Sequence, residues 1–347
     1  MGTLIKEMLD AATLQTLTSN FDPGMIRQEK VAQAASALVK AIKSLELCPS
    51  LQSLIDQFDM LREHHPIYAH RPFYMWQWMQ AGYQLTSLNL PDADFLRSNS
   101  VKCRIGFLTV LLDDICDLGR DRTDFDQCVL ALKGHINQYD MGLYQLIADT
   151  SSAFHGALTQ APNYALLKPA LEEAYQKWID TFEYSLLIQE EAFRLEQTWE
   201  RHLENISHSG TVYLGGVIDL LFAPNLLAHQ ASAVAAVSLR TQKLIQIANW
   251  ITSWKRELAQ GDLTSGVFSM ALENHWIDWD DLKNGSIGKT RQQIQNSPAE
   301  DYLWNEWKRL RVEGYQIAME AQLPMLDGYV ESFSALMFIQ LASTELR

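Results

Sequence analysis

Three carboxylates close one apolar stretch of this sequence, Arg104-Ile-Gly-Phe-Leu-Thr-Val-Leu-Leu-Asp113-Asp114-Ile-Cys-Asp117-Leu-Gly119. Read as a helix, the stretch places Asp113 and Asp117 one turn apart on a shared face. Like charges at that spacing cost a few tenths of a kcal/mol. The last turn before Gly119 is also the negative pole of the helix dipole, where acids are disfavoured again. A compensating positive charge is therefore expected, and a hard divalent cation suits carboxylate oxygens projecting from one rigid element. The alternative is a solvated acidic turn tied to Arg120 and Arg122.

A second oxygen set lies far downstream. Asn249, Ser253 and Glu257 recur at i, i+4 and i+8, so each lies about 40° around a helix from the last. They offer an amide oxygen, a hydroxyl and a carboxylate on one face. Arg256 falls close to that face, and a cation beside a metal site points to phosphate. Alone the triad is weak, because the same spacing decorates the polar face of many ordinary helices.

The pair of motifs, DDICD followed by NWITSWKRE, resembles the class I terpene synthases of the single-domain microbial type. The stretch KRELAQGDLTSGVFSMALENHWIDWDDL looks like the family's continuation after its triad. The resemblance is specific from about 99 to 285 and architectural outside that range. It implies an all-α, single-domain helical bundle over 1–347, with a deep apolar cavity and three Mg²⁺ at its mouth. It also implies that Asp113 and Asp117 bind two of the ions while Asn249, Ser253 and Glu257 bind the third. By the same resemblance Asp114 lies on the substrate side and Arg256 contacts diphosphate. The implied substrate is a linear isoprenyl diphosphate, C15 farnesyl or C20 geranylgeranyl, ionised and cyclised to a sesqui- or diterpene.

The chain departs from the family in three places. A diphosphate-sensing Arg is usual shortly before a small-residue helix break; here the break is Ser207-His208-Ser209-Gly210, but the usual place holds Asn205-Ile206. Arg201, one turn earlier on the same face, is the candidate substitute; the alternative is that it pairs with Glu204 or Glu200 at the surface. The family's Arg-Tyr pair near the C-terminus is missing, which leaves Arg309, Arg311 and Arg347 as unranked replacements. Trp250 stands where an acid is common, a change expected to be mild.

These residues need helices to carry them. Apolar residues recur at three- and four-residue intervals, and strict alternation is hard to find. Helical patterns cover roughly 24–45, 49–63, 73–87, 93–118, 124–158, 163–208, 211–223, 230–260, 264–275, 298–323 and 327–344. Breaks fall at Pro91-Asp92, Gly119, Gly210, Pro224-Asn225 and Gly261-Asp262. Ser297-Pro298-Ala299-Glu300 reads as a capping box with Pro at the first helical position. A carbocation cavity needs aromatic walls and no nucleophile. Candidates are Phe73, Tyr74, Trp76, Trp78, Phe107, Phe182, Tyr213 beside the break at Gly210, and Phe333. Each is also a natural core residue, since large aromatics fill helical interiors by default.

A net charge of -14 over 347 residues argues against nucleic acid or an anionic membrane as a partner. Four cysteines without metal-type spacing fit a reduced, cytoplasmic compartment. No export signal is visible at MGTLIKEMLD, and the most apolar tract, TVYLGGVIDLLFAPNLLA, is interrupted by Asp219, Pro224 and Asn225, so no membrane span is expected. The expected partner is the isoprenyl diphosphate, with a homodimer left open. Two other readings compete. A chain-elongating prenyl transferase would need a second Asp-rich motif, for which only Asp278-Trp279-Asp280-Asp281 is available, and that cluster reads as a helix cap. A non-catalytic binding protein on the same scaffold would explain the missing Arg and Arg-Tyr pair.

Overall fold

The computed structural model describes residues 39–61, 75–135, 142–190 and 198–342. Among these residues the architecture is all-α, without a strand. The helices are α1 (Pro49–Leu61), α2 (Met75–Leu85), α3 (Asp92–Asp114), α4 (Arg122–Leu132), α5 (Leu143–Thr159), α6 (Tyr164–Gln189) and α7 (Trp199–Ile206). They continue as α8 (Val212–Phe222), α9 (Ala228–Gln260), α10 (Gly266–Glu273), α11 (Trp279–Asn284), α12 (Ile287–Asn296), α13 (Ala299–Ala321) and α14 (Tyr329–Ala342). The buried apolar side chains form one contiguous cluster that runs from Ile42 to Ile339. No helix among the described residues is long and apolar enough to cross a membrane.

Two long helices carry the two oxygen motifs. The first, α3, packs against α1, α2, α5 and α8. It continues into a single π turn, Ile115–Gly119, which carries Asp117. The second, α9, is 33 residues long and packs most extensively against α13, with α8 and α14 on its flanks. Gly261 ends α9 in the left-handed region at φ 71°, where a side chain would be strained.

The polar interruption of the apolar tract has a structural answer. Asp219 on α8 is fully buried and lies 2.8 Å from the equally buried Lys102 Nζ on α3. Its second oxygen accepts the Leu88 backbone N–H at 2.9 Å, and the Ser98 hydroxyl donates to the first. A buried carboxylate with an ammonium and this many donors is tolerated, whereas one left without them is not.

The sequence pattern and the structure differ at several points. The expected 124–158 helix is two, α4 and α5, with Gly134 at φ 79° after the first. The expected 163–208 helix is also divided, into α6 and α7, with 191–197 outside the described residues. The helical pattern misses α12 entirely, a helix that buries only Thr290 and Ile294 and so lacks a wide apolar stripe. The expected capping box at Ser297 does not form. Ser297 Oγ donates to Ile294 O at 2.7 Å and accepts from Ala299 N at 3.3 Å, while Glu300 accepts the Trp254 indole N–H of α9 at 2.7 Å. A long-range indole bond has taken the carboxylate from its local one. Most of the 24–45 pattern, and Phe73, Tyr74 and Arg347, lie outside the described residues.

Replacing Asp219 by Ala strands the Lys102 ammonium in the core. The expected loss of unfolding free energy is about 3–5 kcal/mol, read by urea denaturation, and the double change Lys102→Met with Asp219→Leu should recover most of it. A loss below about 1 kcal/mol in the single variant would show that water reaches the pair.

Candidate functional site

The C-terminal ends of the two motif-bearing helices meet. Arg120, in the left-handed region at φ 51° directly after the π turn, donates from Nε to Asp117 O at 3.2 Å and from Nη2 to Gln260 O at 3.0 Å. Its guanidinium thus bridges backbone carbonyls at the negative ends of both helices, where a cation is favoured. Arg122 turns to α6 instead, with Glu190 at 2.8 Å and Glu183 at 3.6 Å. The acidic turn's two basic neighbours thus bond to backbone carbonyls and to acids at the end of α6.

Electrostatics register the convergence. Burial pushes the half-buried Asp117 carboxyl well above the usual carboxylate range, and the neighbouring charges of Asp262, Asp113, Glu257 and Asp114 push it further. Burial and then Asp262 raise Glu257 to about 8, partly offset by Ser253, Arg256 and Ser265. Carboxylates from DDICD and from the end of α9 thus repel one another across one junction. The same field reaches Cys116, whose thiol is raised by burial first and then by Asp117 and Asp113.

Within the triad, the Ser253 hydroxyl is shared between Asn249 O, at 2.6 Å, and Glu257 Oε1. Glu257 Oε2 is buried with no hydrogen-bond partner among the described residues, and Ser265 lies near enough to lower the acid without bonding to it in hydrogen-bond geometry. Arg256 is exposed on the same turn. No three His, Cys, Asp or Glu side chains among the described residues are already gathered into a metal-holding group. The donor set is nonetheless all oxygen, mutually repulsive and carries an orphaned carboxylate oxygen, which is the chemistry a hard divalent cation would satisfy.

Asp262 is the site residue that the motif reading did not single out. Its backbone N–H closes the end of α9 on Glu257 O at 2.9 Å. Its buried carboxylate accepts from Gln189 Nε2 at 2.7 Å, Thr264 N at 2.9 Å and Thr264 Oγ1 at 2.7 Å. The available signal was an Asp placed directly after the helix-ending Gly261.

The helix α7 is held beside this loop. His202 lies between Tyr184, whose hydroxyl is 2.9 Å from Nδ1, and Thr264 O, 2.9 Å from Nε2. Burial lowers the imidazole to about 4, so it stays neutral. It stacks on Trp250 with ring centroids 5.4 Å apart. Trp250 in turn lies over Gly266, where an added Cβ would come within 2.3 Å of the indole. The indole at 250 thus fills the space between His202 and Gly266, which a smaller side chain would leave partly empty.

Arg201 projects from α7 as an exposed side chain, and its charge lowers the Tyr184 phenol against the larger upward push of burial. Glu204, one of its two alternative partners, pairs with Lys243 of α9. The break after α7 is a 3₁₀ turn, Ser207–Gly210, followed by Thr211 at φ 54°. Thr211 Oγ1 meets the Tyr83 hydroxyl at 2.8 Å. Arg309 is engaged by Glu306 and Glu313, and Arg311 lies over the Tyr315 ring at 5.2 Å.

The aromatic candidates fall into separate groups. Phe107 is fully buried between Trp76, stacked at 5.4 Å, and Phe58, edge-on at 5.8 Å. Phe182 meets Trp178 edge-on at 5.5 Å, and Phe333 meets Tyr329 at 5.1 Å. Tyr213 lies under the Lys177 ammonium at 5.9 Å, with His208 at 6.4 Å. Trp78 is half-buried on α2, Gly210 is half-buried at the break, and Asp114 is buried at 1% exposure.

No protein-family model matches the chain, and no curated protein matches it in sequence.

The raised Glu257 carboxyl makes a pH prediction for metal-free protein. An acid whose folded value of about 8 lies above its ordinary 4.5 binds its proton more tightly when folded, so its stabilising contribution is complete below about 4.5 and is lost as pH rises through about 8. With chelator present, wild type should lose melting temperature relative to Glu257→Gln between those limits, and Mg²⁺ should remove the difference. A parallel pair of Tm-against-pH curves would contradict the assignment.

Proposed function

We propose that this chain is a class I terpene synthase that ionises a linear isoprenyl diphosphate, C15 or C20, and cyclises the resulting carbocation. The feature that carries the reading is that Asp117 lies within electrostatic reach of Asp113 and Glu257, acids from two motifs that the chain keeps far apart, with Asp262 beside them. Carboxylates crowd in this way at a functional centre more readily than at a purely structural one. Asp113 and Asp117 would hold two Mg²⁺ from one side of the junction, and Asn249, Ser253 and Glu257 a third from the other. Bound divalent cations would supply the charge stabilisation that a departing diphosphate requires.

This chain's own residues would do the rest. Arg256 and Arg201, both exposed, offer guanidinium forks to phosphate oxygens, a bidentate contact that Lys does not reproduce. Asp262 and Gln189 fix the loop that closes the triad helix. The neutral His202 and Trp250 hold α7, and with it Arg201, against that loop. Buried aromatics such as Phe107 and Phe182 would exclude water from the allylic cation. A reduced cytoplasmic setting accords with the four cysteines being free among the described residues.

The prenyl-transferase alternative loses ground to the geometry of its one spare acidic cluster. Asp278 caps α11 by accepting Asp281 N at 2.7 Å, and Asp281 is engaged by Lys289 and Gln293 at 2.6 and 3.0 Å.

Incubation with C10, C15, C20 and C25 diphosphates plus Mg²⁺ should release inorganic diphosphate and a cyclic hydrocarbon or alcohol from one of the middle lengths. Longer products still carrying diphosphate would transfer the chain to the elongating class, and no turnover would leave a binding protein. Asp113→Ala and Glu257→Ala should each lower turnover about 10²-fold or more while the far-UV circular dichroism is unchanged. Arg201→Gln should lose nearly all ionisation and Arg201→Lys much of it, with Mg²⁺ affinity less affected. Wild-type turnover in Arg201→Gln would return that residue to the surface.

A further inference from the structure

Each motif-bearing helix ends in a residue with left-handed backbone, and the two residues meet. Arg120 follows the π turn at φ 51° and ψ 34°, and its N–H closes that turn on Ile115 O at 2.7 Å. Gly261 ends α9 at φ 71°. A Cβ on Gly261 would stand 3.3 Å from Arg120 Nη2 and 3.7 Å from Nη1. The bare backbone of Gly261 therefore leaves room for the guanidinium to lie across the end of α9. Gly119 stays out of the left-handed region, and the chain enters it one residue later. It does so on an arginine, where the side chain makes that conformation costly.

The guanidinium reaches both motifs through their backbones. Nε donates to Asp117 O, a carbonyl of the first motif, at 3.2 Å, and Nη2 donates to Gln260 O at 3.0 Å. Gln260 lies three residues after Glu257, within one turn of it, and its carbonyl is among the last four of α9, which find no partner inside the helix. Away from these ends the two helices are joined through α8, which packs against both. From the side, α6 packs on the π turn and sends Gln189 to Asp262. The Arg120 fork ties the motif ends to each other directly, and its rigid plane fixes the two carbonyls in direction as well as in separation. Arg122, two residues on, pairs with Glu190 and Glu183 instead.

We propose that Arg120 is a positioning residue for the divalent-cation site, setting the spread between the carboxylates of DDICD and the triad at the end of α9. This rests on the two-motif metal reading above. Arg120 is itself a cation, so its two effects on a bound metal ion oppose each other. As a charge it repels the ion, and its loss alone would tighten binding. As a tie it holds the oxygen ligands of two helices at one spacing, and its loss frees the last turn of α9 to fray. Residues that orient ligands without touching the metal are worth about 10–100-fold in affinity. The repulsion from a side chain as exposed as Arg120 is screened by water and salt. The tie outweighs the charge.

Arg120→Gly removes the guanidinium and relieves the backbone at the same time, because Gly adopts a positive φ freely. Its far-UV circular dichroism should be that of wild type. Mn²⁺, which shares the preference of Mg²⁺ for oxygen ligands, is counted without substrate by the loss of its free-ion paramagnetic resonance signal. Arg120→Gly should bind Mn²⁺ about 10-fold more weakly than wild type, and hydrogen exchange of the 258–262 amides should quicken. Where Arg120→Gly loosens the fold, Arg120→Asn, which also tolerates the left-handed region, carries the same comparison. Arg122→Gln, which removes a charge but no tie between the motifs, should keep wild-type Mn²⁺ affinity. Unchanged or tighter Mn²⁺ binding in Arg120→Gly would overturn the proposal and make Arg120 a counter-charge only. Equal weakening in Arg122→Gln would overturn it too, and the two-motif reading would stand in both cases. A wild-type chain that takes up no Mn²⁺ would overturn the proposal together with that reading.

Discussion

The buried ion pair between Lys102 and Asp219 fixes how α3 is rotated within the bundle. A helix packed only by apolar contacts can turn about its axis at modest cost, because dispersion and burial are non-directional. A pair of charges with no access to water cannot, since any rotation that separates them leaves both uncompensated. Lys102 and Asp113 lie eleven residues apart, about 20° around an ideal helix and about 16 Å along it. Pinning the ammonium to α8 therefore also aims the first metal-motif carboxylate. The remaining donors to Asp219, from Ser98 and Leu88, extend the same constraint to the start of α3 and the loop before it.

The other end of α3 has the opposite character. Carboxylates from two helix ends are brought together there, and burial with the neighbouring charges raises the proton affinity of Asp117 and Glu257. Neutral side chains meet two of the acids, Gln189 and Thr264 on Asp262 and Ser253 on Glu257, while the Arg120 guanidinium holds two backbone carbonyls. Such a junction is stabilised by protons at low pH or by cations at neutral pH, which links the stability of this end of the bundle to ligand occupancy. The π turn at Ile115–Gly119 belongs to the same economy of position. Its wider turn changes the direction of Asp117 from that of an unbroken α-helix, a device that recurs at functional sites.

A third group of contacts connects this junction to the helix break. Neutral His202, flat against Trp250 and bonded to Tyr184 and Thr264 O, joins α6, α7, α9 and the loop after α9 through a single ring. A shift of α7 would have to break all of these together, so Arg201 is presented from a firmly seated helix even though its own side chain is exposed.

The all-helical class was legible in the three- and four-residue apolar spacing, because burial of one face of a helix imposes that period directly on the sequence. The ends of α9 and α13 were likewise legible to within a few residues, and so was the break at Ser207–Gly210. Local pattern also named the acids and the triad, since their types and spacing are properties of one helix at a time. It could not show that the two sets meet, because the meeting depends on how α3 and α9 pack and on an Arg120 bond to a carbonyl on the other helix. Asp262 escaped notice because its role comes from folding back on Glu257, and the packing of Trp250 was illegible because its neighbours, His202 and Gly266, are remote in sequence. The capping box at Ser297 failed for the same reason: a local bond worth about 1 kcal/mol yielded its carboxylate to an indole on another helix. The sequence by itself determined which segments are helices and which side chains carry chemistry; only tertiary structure decided which of those side chains share a space, because the energies that bring them together act between helices and leave no period in the chain.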